Sequence, residues 1–205
     1  MYKIKVCGMR NNANIKALAD INPDFIGFIF HEESSRNVTE IITTQLPKHI
    51  AKVGVFVNKS LEFIQEKVNL FNLDLIQLHG NETPEFCANL KQQGYNIIKA
   101  FNVSENFDFS STTAYQSHCD YFLFDAFGKQ AGGNGITFNW ALLQQYTGNT
   151  PFLLSGGITP TMANTIKNFK HNKCVGIDIN SGFETAPALK NIEDIQTFFN
   201  QLKAN

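Results

Sequence analysis

The chain has 205 residues, of which 43% are hydrophobic and 17% are charged, and its net charge is −1. This length and composition predict one globular domain with a sizeable core, and they exclude a disordered tail or a coiled coil. The chain has no basic block, so nothing in it attracts nucleic acid or an anionic membrane. No apolar run approaches the roughly 18 residues of a membrane span, and residues 1–10 lack the apolar core of a signal peptide.

Eight short apolar runs recur along the chain and are predicted to be strands. They are continuous rather than alternating, which is typical of parallel strands covered by helices. The predicted strands are Lys3–Cys7, Phe25–Phe30, Val53–Val57, Leu75–Leu78, Ile97–Ala100, Tyr121–Phe124, Phe152–Leu154 and Val175–Ile177.

Helical patterns lie between these runs. Ser60 is predicted to cap a helix with an apolar stripe, and Thr83-Pro84 and Thr159-Pro160 each combine an N-cap with a proline at the first helical position. A last helix is predicted after Asn191. Eight strand–helix units favour an α/β fold, a single-domain (β/α)8 TIM barrel over residues 1–205, with a doubly wound open sheet as the alternative.

Four cysteines are present, and their positions show no Cys-x-x-Cys spacing, so neither a zinc site nor a disulfide framework is indicated. Three of them, Cys87, Cys119 and Cys174, are expected to be ordinary buried residues of a reduced, cytoplasmic protein. Cys7 differs because it ends the first predicted strand and precedes a glycine.

A second strand also ends on a single reactive group, because Tyr121–Phe124 runs into Asp125. Barrel enzymes carry their chemistry where the parallel strands end. Cys7 and Asp125 are therefore a candidate base and acid, although a core thiol remains the alternative for Cys7. A carboxylate with no neighbouring Lys or Arg in sequence is costly to bury, which favours a functional role for Asp125, as an acid if burial raises its pKa.

To act as a base, Cys7 needs a neighbouring group that stabilises its thiolate, since a free thiol with a pKa of ~8.5 is only slightly ionised at pH 7. A nearby cation or helix N-terminus is expected to favour the thiolate. Lys5 lies on the same face of the strand, and it is also predicted to form a buried ion pair with Asp178 on the last strand. His79 is a rival base, although lining the pocket or forming a structural hydrogen bond is favoured for it.

Two small-residue turns follow the last two strands, where many such barrels hold a phosphate. The first is Ser155-Gly156-Gly157, at the start of a predicted helix, and the second is Asn180-Ser181-Gly182. Their backbone N–H groups are predicted to bind the anion. A further glycine cluster at 132–135 is predicted to be a flexible loop over the same region, suited to excluding water.

The chain resembles the phosphoribosylanthranilate isomerase family from end to end. The matching stretches are Lys5–Arg10, Gly27–Phe30 leading to Ser35-Arg36, Val53–Asn58, Gln77–Glu82, Asp125, Gly132–Gly135 with Phe138–Trp140, Ser155–Gly157 and Asp178–Glu184. The resemblance implies an Amadori rearrangement of N-(5-phosphoribosyl)anthranilate in tryptophan synthesis, without a metal or an organic cofactor.

The resemblance also implies roles for individual residues. Cys7 would be the general base and Asp125 the general acid, and Arg36 would bind the anthranilate carboxylate through its planar fork. The other implied substrate-binding residues are His79, Gly156, Gly157, Asp178, Asn180, Ser181 and Gly182. The chain departs from the family pattern at Asn139, at Glu33-Ser34-Ser35 before Arg36, and at Asn180, where serine is common.

Three other functions are less consistent with the sequence. A thiamine-phosphate-synthase-like barrel would need magnesium-binding acids, and no paired Asp or Glu follows strands 3 or 4. A Schiff-base aldolase would need a flanking pattern that Lys5 and Lys99 lack. A non-catalytic phosphosugar-binding barrel would make Cys7 and Asp125 replaceable. We expect a small phosphosugar as the ligand and a monomer, with a homodimer as the alternative.

Overall fold

Eight parallel strands close into a barrel in the computed structural model, which describes residues 2–126 and 140–204. Each strand pairs with the next along the chain, and β8 pairs with β1 to close the ring. The strands are β1 (Lys3–Val6), β2 (Phe25–Phe30), β3 (Ala51–Phe56), β4 (Leu75–Leu78), β5 (Ile97–Val103), β6 (Tyr121–Ala126), β7 (Phe152–Ser155) and β8 (Cys174–Ile179). The predicted TIM barrel is confirmed, and the open sheet is wrong.

Five α-helices pack outside the barrel: α1 (Asn12–Ala19), α2 (Leu61–Phe71), α3 (Pro84–Gln92), α4 (Ala163–Asn168) and α5 (Ile192–Lys203). Two predicted caps are confirmed, because the side chains of Ser60 and Thr83 each accept a hydrogen bond from the backbone of the first helical turn, and Asn191 caps α5 in the same way.

The cap predicted at Thr159 is wrong. Pro160–Met162 forms a short 3-10 turn before α4, and Thr159 makes no capping hydrogen bond. Its hydroxyl instead lies 3.0 Å from the hydroxyl of Thr161. The tighter 3-10 turn therefore begins without a side-chain acceptor for its free N–H groups.

The helical layer is less regular than eight strand–helix units predict. Residues 31–50, between β2 and β3, contain no helix, and Phe109–Tyr115 and Trp140–Gln145 are 3-10 segments. The stretch 38–47 is rich in β-branched residues and ends in a proline, which are poor helix formers. The side chain of Asn12 holds this connection, because its Oδ1 accepts from the N–H groups of Thr43 and Thr44 at 3.0 Å.

An apolar cluster fills the part of the barrel interior nearer the amino-terminal ends of the strands. Its members are Phe25, Val53, Leu75, Ile98, Ala100, Leu123 and Leu153. Side chains alternate along a strand, so the residues two positions further on point inward as well. On β4 and β6 these residues are Gln77 and Asp125, and the interior therefore becomes polar toward the carboxyl-terminal rim, the edge where the strands end.

A small hairpin follows β8. One 3-10 turn, Ser181–Phe183, leads into β9 (Glu184–Ala186), which pairs antiparallel with β10 (Leu189–Lys190). The turn between the two strands contains Ala188 in the left-handed region, at φ +64°. The pairing places Glu184 opposite Lys190 beside the rim.

The predicted loop at 132–135 and the departure at Asn139 lie outside the described residues. Within residues 2–126 and 140–204, no helix is long and apolar enough to cross a membrane. The same residues contain no group of three or more His, Cys, Asp or Glu side chains placed to hold a metal ion.

Candidate active site

Cys7, His79 and Asp125 meet at the carboxyl-terminal rim, since each lies at the end of a parallel strand. Cys7 directly follows β1, and its N–H donates to the carbonyl of Ile179 at 2.9 Å. The predicted convergence of the thiol, the imidazole and the carboxyl on one edge of the barrel is thus observed in the structure.

The predicted ion pair between Lys5 and Asp178 is present inside the barrel. Lys5 Nζ donates to Asp178 Oδ1 at 2.9 Å, and the two side chains are 0% and 6% exposed. Burial lowers the pKa of Lys5, but the charges of Asp178 and Cys7 and the hydrogen bond to Asp178 together outweigh this and hold the pKa above its usual value. Lys5 is therefore a fixed positive charge beneath the rim.

The space for Cys7 beside this pair comes from a glycine. A Cβ on Gly27 of β2 would lie 2.8 Å from Cys7 Sγ and 3.2 Å from Lys5 Nζ. The missing side chain therefore lets the thiol and the ammonium group approach the same point.

The nearby cation expected for Cys7 is present, but it does not set the direction of the net shift of the thiol pKa. Burial raises the pKa of the Cys7 thiol above its ordinary value, and the charge of Lys5 offsets only part of this rise. Lys5 therefore acts in the direction expected of a neighbouring cation, although the net shift of the Cys7 pKa is upward. Among the other cysteines, Cys87 and Cys119 are buried as predicted, while Cys174 is only partly buried.

Asp125 is partly buried, with 28% of its side chain exposed. Its ionisable partner among the described residues is His79, whose Nε2 lies 3.4 Å from Asp125 Oδ2. On its other side, His79 Nδ1 lies 2.9 Å from the amide nitrogen of Gln77. The structural hydrogen bond predicted for His79 is therefore present, and it connects a buried amide to the candidate acid.

Arg36 follows β2 and reaches the same rim, but one edge of its fork is occupied. Its Nε donates to the two carboxylate oxygens of Glu184 at 2.9 and 3.1 Å, and Nη2 donates to Oε2 at 2.6 Å. A guanidinium also has an end-on edge, formed by Nη1 and Nη2. That edge is the one left for a ligand carboxylate.

Sequence reasoning assigned no role to Glu184 or Lys190. Lys190 Nζ donates to Glu184 Oε1 at 2.5 Å and to Asn180 Oδ1 at 2.8 Å. Burial raises the pKa of Glu184, but the hydrogen bonds from Arg36 and Lys190 outweigh it and hold that pKa below its usual value. Two cations thus share one carboxylate. The resemblance included Glu184 in a matching stretch, which was the only signal for it.

The two predicted phosphate turns touch one another. Gly156 and Gly157 have φ values of +91° and +64°, a region that favours glycine. A Cβ on Gly182 would lie 2.2 Å from the carbonyl oxygen of Ile158, so the turn after β8 packs directly on the turn after β7. Apart from Gly157 and its two chain neighbours, no heavy atom of the described residues lies within 4 Å of a Cβ built on Gly157. The structure therefore brings Gly156, Gly157, Ser181 and Gly182 to one corner of the rim.

Comparison with known proteins identifies the family. The family model described as N-(5'phosphoribosyl)anthranilate (PRA) isomerase matches residues 4–201. An N-(5'-phosphoribosyl)anthranilate isomerase of Phocaeicola vulgatus is 50% identical over 200 residues, which cover 98% of this chain and 97% of that protein.

Solved structures agree with this match. The phosphoribosyl anthranilate isomerase of Thermotoga maritima has a TM-score of 0.86 and 30% identity, over 99% of both chains. A second isomerase structure, in complex with reduced 1-(o-carboxyphenylamino)-1-deoxyribulose 5-phosphate, has a TM-score of 0.85 and 28% identity, again over 99% of both chains. With its barrel, its rim residues and these matches, the chain belongs to the phosphoribosylanthranilate isomerase family, enzymes of tryptophan biosynthesis that interconvert an aldose and a ketose.

Proposed function

We propose that this chain converts N-(5-phospho-β-D-ribosyl)anthranilate to 1-(2-carboxyphenylamino)-1-deoxy-D-ribulose 5-phosphate by general acid–base catalysis. The main supporting observation is that Cys7 and Asp125 lie on one rim beside the corner formed by the two glycine turns. Expression of the chain should restore growth without tryptophan to a bacterium that lacks this isomerase, and the purified protein should form the product. Stable, well-expressed protein that gives neither growth nor product would reject the proposal.

Asp125 is the proposed acid of the first step. Opening the furanose ring requires a proton on the ring oxygen while the C1–O bond breaks, which leaves an iminium ion between C1 and the anthranilate nitrogen. A carboxyl group held at the rim can supply that proton. Its partial exposure keeps it in reach of a bound sugar.

Cys7 is the proposed base of the second step. Removing the C2 proton turns the iminium ion into an enolamine, and this requires the thiolate. Lys5 and Lys190 both stabilise that anion against the effect of burial. The product forms when C1 takes up a proton and the C2 hydroxyl releases one, so the isomerisation has no net proton change.

The phosphate is proposed to bind the backbone N–H groups of Gly156, Gly157, Ser181 and Gly182. Gly156→Asp adds a negative side chain where the backbone must meet the anion, so KM should rise and competitive inhibition by inorganic phosphate should weaken, each by about 10-fold or more, as expected for loss of a charge-assisted contact. Steady-state kinetics with phosphate as inhibitor measures both effects.

Gly94→Asp is a matched control for that variant. Gly94 has φ +89°, close to that of Gly156, and lies after α3, away from the rim. Both variants introduce the same left-handed strain, so their melting temperatures should fall alike while only Gly156→Asp loses phosphate inhibition. A crystal soaked in phosphate with this corner empty and the anion elsewhere would contradict the assignment.

Arg36 is proposed to bind the anthranilate carboxylate through its end-on edge. Loss of one charge-assisted contact costs about 1.5–3 kcal/mol, so Arg36→Ala should raise KM roughly 10- to 150-fold. Lysine at this position should recover only part of the loss, because a point charge does not reproduce the fork. The measurement is binding of two product analogues, one bearing the carboxylate and one with plain aniline.

Wild-type protein should prefer the carboxylate analogue, and Arg36→Ala should barely distinguish the two. Arg10→Ala is the control, since Arg10 is an exposed rim arginine whose Nη1 lies 3.4 and 3.3 Å from the carbonyls of Ser35 and Asn37. That variant should discriminate as the wild type does. Equal discrimination by Arg36→Ala and the wild type would show that another group binds the carboxylate.

Family membership and the buried lysines weigh against the alternative enzymes. Lys5 is paired with Asp178, and Lys99 donates to Glu82 at 3.1 Å, so neither offers the free amine that a Schiff base requires. We also propose a monomer in the cytoplasm, with a homodimer as the alternative; the four free thiols support a reducing compartment. Light scattering on the purified protein tests the oligomeric state.

A further inference from the structure

The side chain of Gln77 is buried in the barrel interior directly beneath the rim, and its amide is only half satisfied. The residue is 1% exposed and lies one inward position beyond Leu75 on β4. Its Nε2 lies 2.9 Å from His79 Nδ1, while its Oε1 has no hydrogen-bond partner among the described residues. A buried acceptor without a donor is unfavourable, and here it lies next to the histidine that faces Asp125.

The amide orientation decides which nitrogen of His79 carries the proton. The two ends of an amide have nearly the same shape, but one donates and the other accepts. With Nε2 toward Nδ1, neutral His79 keeps its proton on Nε2 and donates to an ionised Asp125. With Oε1 toward Nδ1, His79 keeps its proton on Nδ1, and Nε2 accepts a hydrogen bond from a protonated Asp125.

We propose that Gln77 turns its acceptor end to His79 Nδ1 and so keeps the proton on Asp125 until the ring-opening step. Gln77 and His79 are then positioning residues that act through Asp125, not contacts of the substrate. This inference rests on the proposed function, since it takes Asp125 as the acid. Turning the amide gives the unpartnered Oε1 a donor and moves Nε2 to the position that Oε1 now occupies. The 3.4 Å gap between His79 Nε2 and Asp125 Oδ2 suits a hydrogen bond that shortens when substrate binds.

The same arrangement favours the return of the proton. After Asp125 protonates the ring oxygen, the lone pair of Nε2 faces a bare carboxylate, which is unfavourable. The carboxylate regains a proton when the C2 hydroxyl loses one during ketonisation. One proton therefore leaves Asp125 and one returns in each cycle, while His79 keeps its own on Nδ1.

The other charged groups near this unit are compensated by their own partners. From β8, Asp178 faces both His79 and Asp125, and it is paired with Lys5 of β1. From β5, Lys99 is directed to Glu82. Cys7 follows β1, and burial raises the pKa of its thiol. Among the described residues, His79 is therefore the ionisable group paired with Asp125, with Nε2 3.4 Å from Oδ2.

The tautomer of His79 tests the proposal in the wild-type protein. Nitrogen-15 NMR of histidine-labelled enzyme distinguishes a proton on Nδ1 from one on Nε2, and His79→Gln assigns the signal among the five histidines. We expect the Nδ1–H form, which is the less favoured tautomer of free histidine. The Nε2–H form in enzyme that converts the substrate would overturn the inference and leave the proposed function intact. Failure of the same enzyme to form product would reject the function itself.

Variants of Gln77 separate a positioning role from a merely structural one. Gln77→Leu removes both ends of the amide, so His79 should shift to Nε2–H and kcat should fall about 10- to 100-fold, with KM little changed. Gln77→Glu can only accept from Nδ1, so it should keep the Nδ1–H form and recover most of the loss.

Leu75→Ala, one layer lower on the same strand, is the structural control. It should lower the melting temperature without changing the tautomer or kcat. Wild-type kcat in folded Gln77→Leu, or an unchanged tautomer there, would overturn the proposal. If Gln77→Leu does not fold, the wild-type NMR result decides alone.

Discussion

Cys7→Ala and Asp125→Asn are each expected to lower kcat by at least ~10²–10⁴-fold, the usual loss when a general base or acid is removed. Alanine has no group to take the C2 proton, and asparagine has no proton to give to the ring oxygen. Both variants should fold, because neither leaves a charged partner without a counter-ion in the buried Lys5–Asp178 pair. Steady-state kinetics, with circular dichroism to establish folding, measures the effect.

The pH dependence gives a second measurement for Cys7. Burial raises the pKa of its thiol, so the reactive thiolate becomes more abundant as pH increases through neutrality. The kcat/KM of the wild type should therefore rise with pH across this range, and the residual rate of Cys7→Ala should lack that rise.

Matched controls exist at the opposite end of the barrel. Cys174→Ala removes a thiol at the start of β8, and Asp120→Asn removes a carboxylate just before β6, where Asp120 pairs with Lys91. Both should leave kcat near the wild-type value. More than about a tenth of the activity in folded Cys7→Ala or Asp125→Asn would remove that residue from the mechanism, given the size of the loss expected.

Lys99→Met is expected to lower the free energy of unfolding by about 3–5 kcal/mol, since it leaves the carboxylate of Glu82 buried without its partner. The two side chains are 3% and 4% exposed. Lys99 Nζ also donates to the carbonyl of Gly80 at 2.8 Å, so the same substitution removes a support of the loop after β4. Urea unfolding followed by fluorescence and circular dichroism gives the measurement.

Lys91→Met is the comparison for this loss. Lys91 pairs with Asp120 near the surface, where the side chains are 36% and 30% exposed. Water screens that pair, so its removal should cost about 1 kcal/mol or less. Equal losses in the two variants would mean that burial of the Lys99–Glu82 pair does not determine its contribution.

The strands could be predicted well because burial on both faces leaves a strong pattern. Phe25–Phe30 and Leu75–Leu78 match the structure at both ends. Residues 31–50 could not be predicted in detail, since their course depends on hydrogen bonds that Thr43 and Thr44 donate to Asn12, about 30 positions away. The cap at Thr159 was wrong because local sequence does not distinguish a 3-10 turn from the first turn of an α-helix.

The site also has features that the sequence predicts and features that depend on the packed structure. Strand ends identify Cys7 and Asp125, because topology alone brings them to one rim. The sign of the pKa shift at Cys7 depends on the balance between burial and Lys5, which only the packed structure gives. Glu184 was missed for a related reason: it is 148 residues from Arg36 along the chain, and a short hairpin brings it there.

Four polar pairs of the interior and the rim, among the residues that the structure describes, join the two halves of the barrel. Lys5, Arg36, His79 and Glu82 come from the segment that contains β1–β4, and their partners Asp178, Glu184, Asp125 and Lys99 come from the segment that contains β5–β8. Separated fragments would each bury charges or open hydrogen bonds that only the complementary fragment satisfies. Neither half-barrel contains the partners of all its own polar groups. Reassembly of the fragments would therefore rebuild the reactive centre and the polar interior in the same step.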